Sequence, residues 1–138
     1  MHDLFKQHGG RGAVFHYDSE YAGHGKFFVI LNDVWPPPDG VIVYAYTTSQ
    51  VDRFADGGIP ESMIVRLQPR DYSFSPKETV IDLTAVRAKA ADEFSNRAMF
   101  KFVCNLSDDD VKRVDDAVMA STRIVRKHKK AILGARYG

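Results

Sequence analysis

The 138-residue chain has one cysteine, Cys104. A single thiol excludes an internal disulfide and a zinc site built on cysteine pairs, and it fits a reducing compartment. Long apolar runs are missing as well. No window reaches the roughly 20 residues that a membrane-crossing helix needs. The opening stretch MHDLFKQHGGRG holds no apolar core of the kind a secretory leader carries, so a cytoplasmic protein with no membrane contact is expected. An excess of one charge is also lacking, with 19 Lys and Arg against 18 Asp and Glu. A nucleic-acid partner would therefore have to be met by a local cluster rather than by overall basicity. His2, His8, His16 and His128 show no ligand spacing, so neither a metal nor another cofactor is expected. Repeats and low-complexity segments are absent too. The length suits one domain spanning 1–138, able to bury about two thirds of its unfolded surface.

What is present is mostly strand. Residues 1–11 are polar and contain glycines, which suggests a loose arm. Residues 12–17 (GAVFHY) suit a short strand, and 19–25 (SEYAGHG) a loop. Residues 26–32 (KFFVILN) form a continuous apolar run, typical of a strand covered on both faces. The next stretch, 33–40 (DVWPPPDG), is a turn, since three prolines cannot stay in a ladder and Asp-Gly favours a turn. Residues 41–48 (VIVYAYTT) are strand again. A connection this short cannot hold a crossover helix, so the two strands pair antiparallel. Being apolar on both faces, they suggest a strongly curved sheet or small barrel. Residues 62–68 (SMIVRLQ) alternate as a half-buried strand does, and 75–83 (SPKETVIDL) end in another. Residues 84–97 could hold a short helix. The clearest helix is expected over 107–127. Ser107 and Asp110 form a capping-box-like pair, and Asp108, Asp109 and Asp110 suit the first turn. Val111, Val114, Val118, Ser121 and Val125 follow one apolar stripe. Arg123, Arg126 and Lys127 then lie at its end, and 128–138 read as a basic tail.

Four stretches, KFFVILND, VIVYAYTTSQ, TVIDLTAVR and NLSDDDVKRVDDAVMASTRI, resemble in order and spacing the MazF/PemK/Kid family of bacterial ribonuclease toxins. They are similar to that family's RPVxVI strand, its VxVxPIT strand, its SxVxxxQxR strand and its terminal helix. The resemblance implies a mainly β fold with α, an SH3-like barrel of antiparallel strands with a C-terminal helix. It also implies a homodimer, a cognate antitoxin protein and single-stranded RNA as substrate. The expected activity is metal-independent endoribonuclease cleavage, in which the ribose 2′-hydroxyl attacks the adjacent phosphate and leaves a cyclic phosphate. Such chemistry needs a base, an acid for the leaving oxygen and donors for the charged phosphorane.

On this resemblance Thr47 occupies the active-site threonine position, with Thr48 and Ser49 beside it. In bare strand terms the same hydroxyls favour a strand end and a turn. Lys26 stands near the family's arginine, as a point charge rather than a fork. His24, between glycines, matches a loop histidine that is catalytic in Kid-type members, and is otherwise a solvated loop residue. Asp82 and Thr84 fall at the positions of the Kid-type Arg-x-Asp pair without preserving it. Arg87 matches the QxR arginine. Trp35 could stack on a base or lie over the barrel. The basic run 123–130 could meet phosphates or be a solvated helix end, and Cys104 reads as a small buried residue. Two other readings share the fold. One is a non-catalytic barrel binding RNA or a protein. The other is a gyrase-targeting toxin whose activity lies in the C-terminal helix, in which truncation after Thr122 would abolish toxicity while sparing RNA cleavage.

Overall fold

A computed structural model describes residues 10–17, 26–32, 40–49, 51, 59–90 and 100–134. Among these residues it holds a seven-stranded sheet, two α-helices and a short 3-10 helix at Glu61–Met63. The strands are β1 (Ala13–Tyr17), β2 (Lys26–Ile30), β3 (Val41–Thr48), β4 (Ile64–Leu67), β5 (Thr79–Asp82), β6 (Arg87–Ala90) and β7 (Phe100–Asn105). All pairings are antiparallel, in the order β4-β5-β3-β2-β1-β7, with β6 also on β3. Among the described strands this path stays open at β4 and β7. The expected pairing of β2 with β3 is present, with Phe28 opposite Tyr46 and Ile30 opposite Tyr44. Asn32 extends it beyond the ladder: its amide donates to Val41 O at 2.9 Å and its side-chain oxygen accepts from Val43 N at 3.1 Å.

The apolar runs are buried on both faces, as their sequences suggest. Val29, Val43 and Ala45 join Val65, Leu67, Ile81 and Leu83 in the core that the helices cover. The alternate residues Phe28, Ile42 and Tyr44 pack with Phe15 and Phe100 on the opposite side. Strand β7 was not anticipated. Its exposed Lys101 and Asn105 dilute the apolar signal, and its pairing with β1 carries a register shift between Val14 and Phe15. The suggested helix over 84–97 gives way in its described part to β6, held by four pairings from Val41–Ala90 to Tyr44–Arg87. Residues 91–99 lie outside the described residues, as do 1–9 of the expected arm.

The long C-terminal helix is corrected. Helix α1 runs from Asp108 to Ala120 and helix α2 from Arg126 to Leu133. The break falls at Ser121, which is buried and whose Oγ accepts from Arg123 N at 3.1 Å and Ile124 N at 3.3 Å. A serine hydroxyl can compete for backbone donors in this way and end a helix. Val125 therefore leaves the apolar stripe and is 56% exposed. In the described part of the basic tail, 128–134, Ile132 and Leu133 are in the core.

The start of α1 is as expected at Ser107, whose Oγ accepts from Asp110 N at 3.2 Å. The reciprocal half of the capping box is relayed through another element. Ser107 N donates to the Tyr72 hydroxyl at 2.9 Å, and that hydroxyl donates to Asp110 Oδ2 at 2.6 Å. The β4–β5 loop is thereby tied to the helix. Phe74 of the same loop stacks on Tyr72 and meets Phe27 of β2 at 5.4 Å. Gly12 takes φ +91°, and its N–H and carbonyl bond to Ile30 and Leu106. A Cβ there would stand 2.7 Å from Val111 Cγ2, so the close approach of α1 requires glycine.

Candidate functional site

The site arises where β3 changes neighbours. Along one edge, Val41–Tyr44 pairs with β6; further on, Thr47 and Thr48 pair with Ile81 and Val80 of β5. Ala45 and Tyr46 thus lie opposite the β5–β6 turn. An open groove of about 880 Å³ sits at this transition. Its lining includes Lys26, Tyr46, Thr47, Thr48, Ser49, Asp82 and Arg87, with Ser73, Phe74, Pro76, Lys77 and Thr79 opposite. Six residues singled out by sequence, Lys26, Thr47, Thr48, Ser49, Asp82 and Arg87, therefore share one surface.

Their roles there differ. Thr47 follows Val43 and Ala45 on the core face, and its Oγ1 reaches Phe27 O only at 3.4 Å. That is a weak bond by distance, so the hydroxyl can turn to a better acceptor in the groove. Thr48 lies on the alternate face of the strand and also borders the groove. Ser49 is exposed at the rim. Asp82 is engaged in its own turn: one carboxylate oxygen accepts from Thr84 N at 3.0 Å and from Thr84 Oγ1 at 2.5 Å. Thr84 acts as the turn's partner and is not among the groove-lining residues. His24 and Trp35 lie outside the described residues.

Tyr46 was not singled out by sequence. Its ring carries Lys26 Nζ at 5.2 Å and Arg87 Cζ at 5.3 Å from the centroid. Lys26 comes from β2 and Arg87 from β6, on either side of β3. The signal was a tyrosine directly before the hydroxyl run, indistinguishable in sequence from the neighbouring core residue Tyr44. Phe74 and Lys77 were also missed, because only the β4–β5 loop brings them across. Cations and hydroxyls thus dominate this surface, and among the described lining residues its one carboxylate, Asp82, is occupied by a turn. Such an arrangement can hold an anion and donate hydrogen bonds to it.

Burial pushes the Cys104 thiol up, in keeping with a half-buried apolar role. His16 packs edge-on against Phe27 at 4.9 Å. The basic run starts before α2 at Arg123 and continues into it, with Arg126 and Lys127 exposed in its first turn, the end that disfavours cations. Among the described residues no group of three His, Cys, Asp or Glu side chains converges as metal ligands would, and no helix is long and apolar enough to cross a membrane. No protein-family model matches the chain, and no curated protein matches it.

Proposed function

We propose that the chain is the toxin of a toxin–antitoxin pair, an endoribonuclease of MazF/PemK type that cuts single-stranded RNA in the β3 groove. The observation that carries this reading is the convergence of Thr47, Lys26 and Arg87 on one open groove at the end of β3. The small antiparallel sheet with helices packed on one core supports this reading at the level of a β-rich fold with helices. In this mechanism the ribose 2′-hydroxyl attacks the adjacent phosphorus, and the 5′-oxygen leaves. Charge builds on the phosphoryl oxygens, where the Thr47 hydroxyl donates and Lys26 and Arg87 attract. The chemistry asks for no metal from the protein. His24 is the proposed acid or base, Ser49 and Trp35 would contact the strand, and a homodimer would extend the groove.

A second reading, an RNA-binding barrel without cleavage, draws on Asp82 and Thr84. Their mutual hydrogen bonds occupy the pair that stands where Kid-type members carry Arg-x-Asp.

The test is incubation of the purified protein with single-stranded RNA in excess chelator. The expected outcome is cleavage to cyclic-phosphate ends, with Thr47→Val slowing it on the order of a hundredfold, as loss of one donor to a developing oxyanion does. Cleavage that appears only with added divalent ion overturns the mechanism. Binding without any cleavage selects the second reading.

A further inference from the structure

Three of the seven described arginines meet a carboxylate. Arg11 meets Asp115 at 3.2 Å, Arg66 meets Glu61 at 2.7 Å and Arg113 meets Asp110 at 2.9 Å. Lys26 and Arg87 make no ion pair with any described residue; both converge on the ring of Tyr46. A tyrosine ring attracts cations through its quadrupole, but it is neutral and cannot cancel their charge. The carboxylate in the same groove, Asp82, already serves the turn with Thr84. The strand register makes the convergence a property of the fold. Phe28, two residues after Lys26, pairs with Tyr46, and Arg87 pairs with Tyr44 on the other edge of β3. Two cations are thus held over one ring of β3, in a groove that Thr47 and Thr48 also line, and among the described residues neither has a carboxylate partner.

We infer that Tyr46 is a positioning residue that holds Lys26 and Arg87 as a pair for a backbone phosphodiester of the bound strand. This rests on the reading of the groove as an RNA site and names what recognises the strand there. Tyr46 acts through the two cations and does not touch the reacting atoms.

The experiment uses the full chain and a fluorescent single-stranded DNA oligonucleotide. That probe lacks the 2′-hydroxyl and is not cut by the proposed mechanism, so binding is read apart from cleavage. Affinity is measured over a series of salt concentrations. Lys26→Gln and Arg87→Gln each lower the slope of log affinity against log salt by about 0.7, the value for one phosphate contact on a single strand. Tyr46→Leu weakens binding about fivefold, in line with loss of exposed cation–π contacts, while Tyr46→Phe, which keeps the ring, binds as the parent does. In the Tyr46→Leu background Lys26→Gln costs less than in the parent, a coupling that a packing role alone would not produce. Both cations are exposed, so their substitutions test the pair even if Tyr46→Leu does not fold. Unchanged slopes for both overturn the proposal, as does Tyr46→Leu binding like the parent or Tyr46→Phe binding as weakly as Tyr46→Leu. A parent that shows these slopes but cuts no RNA sustains the phosphate pair and overturns the nuclease reading; a parent that cuts RNA with slopes unmoved does the reverse.

Discussion

Thr47 and Gly12 separate the demands of chemistry from those of packing. The Thr47 hydroxyl has only a 3.4 Å contact to Phe27 O, so Thr47→Val keeps the β-branched shape and removes little stability. Its melting temperature should stay within a few degrees of the parent while RNA cleavage collapses. A cleavage rate equal to the parent's would remove Thr47 from the site. Thr48→Val is not a clean control, because Thr48 borders the same groove; Lys112→Gln, exposed on α1, serves better. Gly12 has the opposite profile. Alanine there must take φ +91° and place a methyl 2.7 Å from Val111 Cγ2. The expected cost is about 2–3 kcal/mol, combining left-handed strain with overpacking. Gly40→Ala meets the strain, at φ +72°, with nothing within 4 Å. Thermal melts of the two variants should therefore differ by the clash alone, and equal losses would refute that account.

Among the elements, α1 is joined to the β4–β5 loop by one hydroxyl. Tyr72 accepts from Ser107 N and donates to Asp110. Tyr72→Phe should cost about 1–2 kcal/mol, the range for a hydrogen bond to a partly buried charged group. Burial works against the charge on Asp110, but hydrogen bonds from Tyr72 and Arg113 outweigh it and hold the carboxyl below its usual value. The folded state therefore gains stability above the ordinary carboxylate range and loses it as pH falls through the lowered value. Burial, reinforced by the bond to Asp110, pushes the Tyr72 phenol up. That contribution is full below the ordinary tyrosine value, about 10, and fades as pH rises through the raised one. Denaturant melts across pH should show both flanks in the parent. Tyr72→Phe should lose the alkaline flank and flatten the acid one; an unchanged alkaline flank would contradict the assignment. The Ser107 cap and the acidic first turn were legible because they are local. The Tyr72 relay was not, since it joins positions 35 and 38 residues apart.

At the scale of the molecule, the broken C-terminal helix changes what truncation can report. Ending the chain after Thr122 removes Ile124, Ile132 and Leu133 from the core. Loss of a large buried aliphatic costs about 2–5 kcal/mol, and a domain holds only about 5–15 in total. The truncated chain should show no cooperative melt, so it cannot separate a gyrase-targeting toxin from a nuclease. A folded, RNA-cleaving truncation would refute this. Point changes on the exposed face of α2, such as Arg126→Glu, leave the core intact and make the separation. The proposed homodimer is checked by light scattering at micromolar concentration, where a monomeric mass would count against it.

The strands with continuous apolar runs, the antiparallel β2–β3 pair and the start of α1 were legible from residue order, because each depends on neighbours close along the chain. The sequence also marked Thr47, Lys26 and Arg87 separately. That all three line one groove follows from the folded chain. The groove depends on β3 exchanging β6 for β5 midway, a long-range choice of partner that no local pattern encodes. The same holds for Tyr46 and Tyr44. Both read as strand tyrosines, and register alone buries one and places the other beneath two cations. The helix break at Ser121 belongs to the same class, since a serine's hydroxyl ends a helix only when the following segment has a core to turn into.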